Sequence, residues 1–293
     1  MKVTNIPTSE DFDRESHSAF NLAFDTFTRF ISDHSYVIEW AGDETPETLE
    51  HIESSKYLIR NIINLLFLSV EFQLKSILCA TSPFLLLDGP KSWPKPKSGT
   101  VSFGSLRSIS ASDLQRAIEL FGNKELSEGA WKHFEKLRAF RNESSHSISG
   151  AEYSLESIFI HILRVSEYFL GSKNPFPIRI KFLDSADGIY VYPDHLRNQA
   201  LAEFELLRKI FGSEFFKAEI GVPDKRLNYC GVCHWEGKDW DEQPKTAEFN
   251  GEQTYCYACG ETDSVYEAHC ALCEGVQAFS TKSDLCLNCG YKA

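Results

Sequence analysis

Residues 62–78 read IINLLFLSVEFQLKSIL, which is apolar on almost every side of a helix. The helical pattern that contains this stretch begins at Thr45, a good N-cap before Pro46, and continues to about Ala80. A helix that is apolar nearly all round is normally covered by other helices. Its unbroken apolar runs, such as 65–68, are much shorter than the roughly 20 residues of a membrane-spanning helix. The stretch therefore predicts the central helix of a bundle and no membrane segment.

Helical spacing also appears before and after the central helix. Large apolar residues near the N-terminus recur mostly at steps of three and four, which places side chains on one helix face: Phe12, Phe20, Phe24, Phe27, Phe30 and Ile31. Further helices are expected from Ser112, over about 127–145, over about 154–170 and over about 195–216. The first two-thirds of the chain is therefore predicted to be mainly α-helical.

Two segments interrupt this pattern. Prolines and glycines between 81 and 110 predict a long loop, whose cations and tryptophan either contact phosphates and a base or form a solvated excursion: Lys91, Lys95, Lys97, Arg107 and Trp93. Further on, Ile178, Ile180 and Phe182 alternate with two basic residues, and an apolar run at 189–192 follows a turn-rich stretch. That alternation predicts a small two-stranded β-hairpin after the bundle.

Charge is distributed unevenly along the 293 residues. The net charge is −12, of which residues 1–50 carry −8, residues 51–223 carry +2 and residues 224–293 carry −6. The middle segment is therefore the part best suited to meet a polyanion. The first fifteen residues are polar and acidic and lack the basic and apolar regions of a secretory signal, so we expect a cytoplasmic protein.

Eight of the nine cysteines form four C-x2-C pairs in the tail: Cys230/Cys233, Cys256/Cys259, Cys270/Cys273 and Cys286/Cys289. The tight turn within such a pair lets both thiolates bind one tetrahedral zinc at about 2.3 Å. Cytosolic reductants also disfavour disulfides, which leaves metal binding as the simplest use of these thiols. Since two pairs complete one four-thiolate site, the tail predicts two zinc ions.

The pairing of these four C-x2-C units has two solutions. Sequential pairing gives two tandem zinc ribbons, and a cross-brace would interleave them, although a cross-brace normally has a shorter central gap than the ten residues found here. His234 and His269 each stand beside a cysteine and could replace a ligand. We expect tandem ribbons with four thiolates at each zinc.

A closed four-thiolate site leaves zinc no open position, so both ions are predicted to be structural. Each site adds a formal charge of about −2 to an acidic tail, which favours contact with a protein partner. Nucleic acid is the alternative, because four aromatic residues of the tail could stack on bases: Trp235, Trp240, Tyr255 and Tyr257.

A second motif, Arg141-Asn142-Glu143-Ser144-Ser145-His146, ends the helix expected over 127–145. RNA cleavage by the 2′-hydroxyl needs a base of near-neutral pKa and a fixed cation, tasks that suit histidine and arginine and require no metal. Asn142 and His146 are four residues apart and share a helix face. The same spacing also occurs at Arg29 and His34, within the aromatic stripe, where we interpret it as incidental. The alternative for Arg141 and His146 is that they are polar residues favoured at a helix C-terminus.

Together with the helix containing Val70-Glu71-Phe72-Gln73-Leu74-Lys75 and the loop and helix that follow it, the motif resembles the HEPN superfamily over roughly residues 9–172. This resemblance implies an all-helical domain that dimerises and cuts RNA without metal, at a cleft formed by both protomers. It implies that Arg141 holds the scissile phosphate, that His146 transfers a proton and that Asn142 orients the phosphate or the histidine. Ile148 stands where some HEPN toxins have a tyrosine modified by their antitoxin, so that partnership is not expected.

These patterns predict a mainly α protein in three parts: a HEPN-like bundle over 1–172, a hairpin and helix over 173–223, and a double zinc ribbon over 224–293. The leading hypothesis is a homodimeric endoribonuclease that acts as a toxin or in antiphage defence. The alternative is a noncatalytic dimeric adaptor whose ribbons bind protein.

Overall fold

The computed structural model describes residues 2–42, 45–89, 99–146, 154–185, 193–236 and 243–292. Helices predominate within these ranges, as the sequence predicts. The chain divides into two compact units, Met1–Gly171 and Ser172–Ala293.

The first unit is a helical bundle. Its helices are α1 (Ser9–Ala41), α2 (Pro46–Ser54), α3 (Lys56–Thr81), α4 (Ala111–Phe121), α5 (Glu128–His146) and α6 (Leu155–Tyr168). A short strand before α1, β1 (Lys2–Thr4), pairs in parallel with β2 (Thr100–Ser102). The predicted cations at 91, 95 and 97 and Trp93 lie outside the described residues.

Helix α3 is the centre of this bundle, because it packs against α1, α2, α4, α5 and α6. Ser16 Oγ donates to the carbonyl oxygen of Ser69 at 2.8 Å, and Ser76 Oγ donates to that of Ser9 at 2.9 Å, so α1 and α3 are antiparallel. Aromatic pairs join two more helices to these: Phe27 of α1 packs on Phe159 of α6, and Phe67 of α3 packs on Phe134 of α5, with ring centroids 5.6 and 5.8 Å apart. The predicted central helix is therefore confirmed.

By length and composition alone, α3 could cross a membrane, and it is the one helix of the described residues that passes this test. However, 61% of its most apolar window is buried inside the bundle. Burial among the other helices therefore accounts for the apolar surface of α3.

The single helix expected from Thr45 to Ala80 is wrong in one respect, since it is divided into α2 and α3. The break falls at Ser55, after Ser54, and serines compete with helical hydrogen bonds through their own side chains. Helix α2 continues along α1 beyond this break, and there the ring of His51 stacks on His34 and Phe30 at 5.7 and 6.0 Å.

The second unit contains three helices and a sheet within the described residues. The helices are α7 (Phe176–Ser185), α8 (Pro193–Glu219) and α9 (Gly231–Glu236), and the strands are β3 (Ala247–Phe249), β4 (Gln253–Cys256), β5 (Thr262–Cys270) and β6 (Gly275–Ser280). Helices α7 and α8 pack through the rings of Phe176, Phe204 and Phe216. At the start of α7, Asn174 Nδ2 donates to the carbonyl oxygen of Tyr257 at 2.6 Å and so joins the helices to the sheet region.

The predicted β-hairpin is wrong where it can be examined, because Ile178 to Phe182 lie in α7. A strand with this alternation would turn Arg179 outward, but Arg179 is buried. Its guanidinium donates to both carboxylate oxygens of Glu203 of α8, at 3.0 and 2.8 Å. With Arg179 inside, the buried residues Phe176, Ile180 and Leu183 follow the helical period of three and four. The second half of the hairpin, 189–192, lies outside the described residues.

The sheet is antiparallel with the order β3-β4-β5-β6. Strand β5 is shared: Thr262 to Ser264 pair with β4, and Val265 to Cys270 pair with β6. The two ribbons are therefore joined by one continuous strand.

Candidate functional site

The eight paired cysteines form two groups of four. Within each group the four sulfur atoms lie within 4.8 Å of one another: Cys230, Cys233, Cys256 and Cys259 in site 1, and Cys270, Cys273, Cys286 and Cys289 in site 2. This is the tandem pairing, and it excludes the cross-brace. Both groups consist of cysteines alone, so His234 and His269 belong to neither.

The sulfur–sulfur distances fit tetrahedral zinc. Four ligands at about 2.3 Å from a central ion are about 3.8 Å apart along each edge of the tetrahedron. In site 1, Cys230 Sγ lies 3.9 Å from Cys259 Sγ, and Cys233 Sγ lies 3.8 Å from Cys256 Sγ. The corresponding distances in site 2 are 3.6 and 4.0 Å. Both groups are therefore structural zinc sites with closed coordination.

The thiol chemistry also favours a bound cation. Although burial raises the pKa of Cys256, hydrogen bonds from the neighbouring cysteines bring it well below the ordinary value. In the same group, contacts among the thiols raise the pKa of Cys233 well above it. One thiolate thus forms at the expense of its neighbours, because adjacent negative charges repel. Four thiolates can coexist only around a dication, which zinc supplies.

Hydrogen bonds to the sulfur atoms orient the ligands. The amide N–H groups of Cys233, Cys259 and Cys273 each donate to the first cysteine of their own pair at 3.4 Å. The buried hydroxyl of Thr246 lies 3.1 Å from Cys256 Sγ, and Asn288 Nδ2 donates to Cys273 Sγ at 3.5 Å. Such outer partners fix the geometry of a zinc site. Neither partner is predicted from the sequence, although Asn288 lies inside the Cys286/Cys289 pair, which is a local signal.

The two zinc sites belong to one packed body. The amide of Tyr229, next to Cys230 of site 1, donates to the carbonyl oxygen of Leu287, next to Cys286 of site 2, at 3.0 Å. Gly231 packs so closely on the second ribbon that a Cβ atom there would lie 1.9 Å from Ser280 Oγ. Disturbing either ribbon should therefore disturb the other.

The arginine–histidine motif lies at the C-terminal end of α5. Ala130, Phe134 and Leu137 form the buried stripe of this helix, and Arg141 is the next residue on the same face. Arg141 and Asn142 are exposed, and the Arg141 guanidinium carbon lies 5.4 Å from the ring centroid of Phe67 of α3. His146 is the last residue of α5, and its side chain lies outside what the structure describes.

The second pair with the same spacing occupies a different environment. Arg29 is exposed and forms an ion pair with Asp25 at 3.0 Å, whereas His34 is buried and stacks on Phe30 and His51. A buried imidazole in the contact between α1 and α2 is inaccessible to a polymer substrate. The structure thus agrees with the interpretation of this pair as incidental.

Comparison with known proteins gives no relative: no family model, no curated protein and no solved structure matches the chain.

Proposed function

We propose that the chain is a metal-independent endoribonuclease of HEPN type, acting as a toxin or defence effector in the cytoplasm. The single observation that carries the proposal is the exposure of Arg141 and Asn142 where the buried stripe of α5 leaves the core. A cation and an amide at that point can meet a substrate while the helix that carries them stays anchored. The resemblance to HEPN rests on residues alone and supplies the reaction class.

Each residue of the motif has a chemical task. Arg141 is permanently charged and, resting on the Phe67 ring, has a restricted position from which to hold a phosphate. Since α5 continues to His146, Asn142 and His146 are one helical turn apart on one face. His146 is then the proton-transfer group for attack by the 2′-hydroxyl, and Asn142 orients the phosphate or the imidazole.

Exposed apolar residues support a homodimer. Four large side chains are exposed on the C-terminal half of α1, on α2 and on the start of α3: Tyr36 (71%), Trp40 (74%), Leu49 (59%) and Tyr57 (61%). Exposed apolar surface of this kind is typical of an interface.

Helix α5 runs toward the end of the bundle that carries these exposed apolar residues. Thr81 Oγ1 donates to the carbonyl oxygen of Phe121 at 3.0 Å, so the C-terminal ends of α3 and α4 meet. Gly122, just after α4, and Trp131 line one groove, which places the start of α5 at the same end. Arg141 to His146 therefore lie toward the opposite end, where a second copy seated on the exposed apolar residues would bring a second motif near.

The zinc-bearing unit serves recognition in this proposal. Its metal sites are closed, so it contributes no open metal position for catalysis. Leu272 and Val276 near the second zinc site are exposed by 66% and 65%, which favours contact with a protein partner. A noncatalytic adaptor would bind its partner through the same exposed residues.

The test is RNA cleavage by the zinc-loaded full-length protein in magnesium-free buffer containing EDTA, with zinc retention measured in parallel. We expect His146→Ala and Arg141→Ala to lower the cleavage rate by about 10²- to 10⁴-fold each, because each removes a transition-state contact. Arg29→Ala is the matched control, since it removes an exposed arginine of the same spacing and should leave the rate unchanged. Equal cleavage by His146→Ala and the parent protein, or a strict need for added magnesium, would refute this active site. Absence of cleavage by the parent protein would favour the noncatalytic adaptor.

A further inference from the structure

A groove of about 670 Å³ in the second unit lies between α8 and the chain on either side of α9. The residues of its lining that bear on a ligand are Glu205, Arg208, Lys209, Ser213, Tyr229 and Lys245. Three of these six are cations and one is an anion. The groove is therefore locally basic, although residues 224–293 carry a net charge of −6.

The backbone of α8 shapes one wall of this groove. Gly212 interrupts the helix with a φ of +82°, a left-handed conformation that glycine adopts without strain. Arg208 and Lys209 lie in the last turn before this break, and Ser213 is the first residue after it. The break thus places two cations and a hydroxyl beside the same cavity.

The opposite wall comes from the region around the zinc sites. Lys245 Nζ donates to the carbonyl oxygen of Asn288 and lies 4.9 Å from the ring centroid of Tyr229. Lys245 is thus held in place, and its charge interacts with the cysteines of site 2. Arg208 and Lys209 come from a helix that bears no metal ligand, so the zinc sites do not account for their presence.

We propose that this groove binds a phosphate group, with Arg208 and Lys209 as the direct contacts and Lys245 as a fixed positive charge behind them. An arginine guanidinium can bind two oxygens of one phosphate at once, and lysine adds a point charge. Ser213 supplies a hydroxyl for a remaining oxygen, and Tyr229 supplies an aromatic edge. Since the lining holds three cations and one anion, Glu205, it keeps a net positive charge that favours an anionic ligand.

The phosphate can come from an RNA strand or from a free nucleotide. Only the RNA source rests on the proposed function, where the groove would hold substrate away from the cleavage site. A nucleotide source would make the groove an effector site.

The experiment uses the zinc-loaded full-length protein carrying His146→Ala, so that RNA is not consumed. Binding of a short fluorescein-labelled RNA is measured by anisotropy, and binding of ATP and of pyrophosphate by calorimetry. We expect Arg208→Glu to weaken binding of at least one of these probes by about tenfold or more and to lower the salt dependence of RNA binding by about one phosphate contact. Lys217→Glu is the matched control, because it makes the same charge change at an exposed site of α8 outside the groove.

The three probes separate the sources. Loss of RNA binding alone identifies an RNA strand, and loss of ATP binding identifies a nucleotide. If no probe binds, or if Arg208→Glu and Lys217→Glu behave alike at full zinc content, the phosphate groove is refuted. Failure of the nuclease is recognised separately by the cleavage rate of the protein that retains His146.

Discussion

The helical bundle of the first unit and the zinc ribbons of the second unit are stabilised by different means. The first unit buries a continuous set of large apolar side chains, among them Phe20, Phe24, Phe27 and Phe134, each fully covered. Around site 2, by contrast, the described residues form a buried cluster of Cys270, Phe279 and Cys286, with a few partly buried residues packed against it. Such a small core cannot stabilise a sheet alone, so the metal ions must. The helical bundle should therefore tolerate metal loss, whereas the zinc ribbons should not.

The largest expected effect is the loss of a zinc ligand. Structural zinc contributes about 10 to 16 kcal/mol in small zinc-binding peptides, so Cys256→Ser should release zinc from site 1 and abolish hydrogen-exchange protection in β3 and β4. Amides of α1 and α3 should stay protected. Cys79→Ser is the control, since Cys79 lies in α3 outside both clusters and its loss should leave two zinc ions per chain. If β3 and β4 stayed protected from hydrogen exchange without zinc, the ribbons would not depend on metal for their stability.

A smaller effect is expected from Gly231→Ala. The added Cβ would lie 1.9 Å from Ser280 Oγ and 2.6 Å from Asp263 Oδ2, and both side chains are buried and hydrogen-bonded to each other. Overpacking of this kind costs about 1 to 3 kcal/mol, and we expect the upper end here. Thermal unfolding of the second unit, followed by zinc release, measures the change. Gly275→Ala serves as the control because its nearest neighbour would be 3.9 Å away, and equal stabilities of the two variants would show that the ribbons are not tightly joined.

The smallest expected effect is a pH dependence of the first unit. Burial, followed by the nearby charge of His161, lowers the pKa of His133 to about 3, and burial lowers the pKa of His161 to about 4. The rings lie 5.0 Å apart, and among the described residues neither His133 Nε2 nor His161 Nδ1 has a hydrogen-bond partner. Unfolded histidines take up protons below about pH 6.5, whereas these two stay neutral in the folded state, so acid favours unfolding.

For two such histidines, the free energy of unfolding falls by about 2 kcal/mol between about pH 6.5 and 5.5. This fall should be measurable as faster amide hydrogen exchange in α5 and α6, after correction for the pH dependence of the intrinsic exchange rate. The double variant His133→Gln/His161→Gln should flatten this dependence, while His17→Gln should keep it. A parent protein whose α5 and α6 protection is unchanged over this range would show that the imidazoles already bind protons in the fold.

The sequence predicts the features that depend on residues a few positions apart, namely the buried central helix and the zinc ligands. The central helix and its apolar neighbours were predicted because residues three and four apart on a helix share a face, and α3 indeed lies at the centre of the bundle. The zinc ligands were predicted because a C-x2-C turn presents two thiolates to one ion, whatever surrounds it. The roles of Arg141, Asn142 and His146 stay predictions.

Tertiary structure alone decided the features that depend on distant partners. Segment 178–182 can be helical with Arg179 buried because Arg179 pairs with Glu203, which is 24 residues away in the sequence. The periodicity of apolar residues cannot reveal such a buried ion pair. The groove of Arg208 and Lys245 likewise joins residues with no common motif. By itself, then, the amino-acid sequence determined which residues bind zinc and which helix is buried, since both depend on spacings of a few residues. Only folding could place cations, carboxylates and glycines from separate segments against one another, because their energies arise from contacts between those segments.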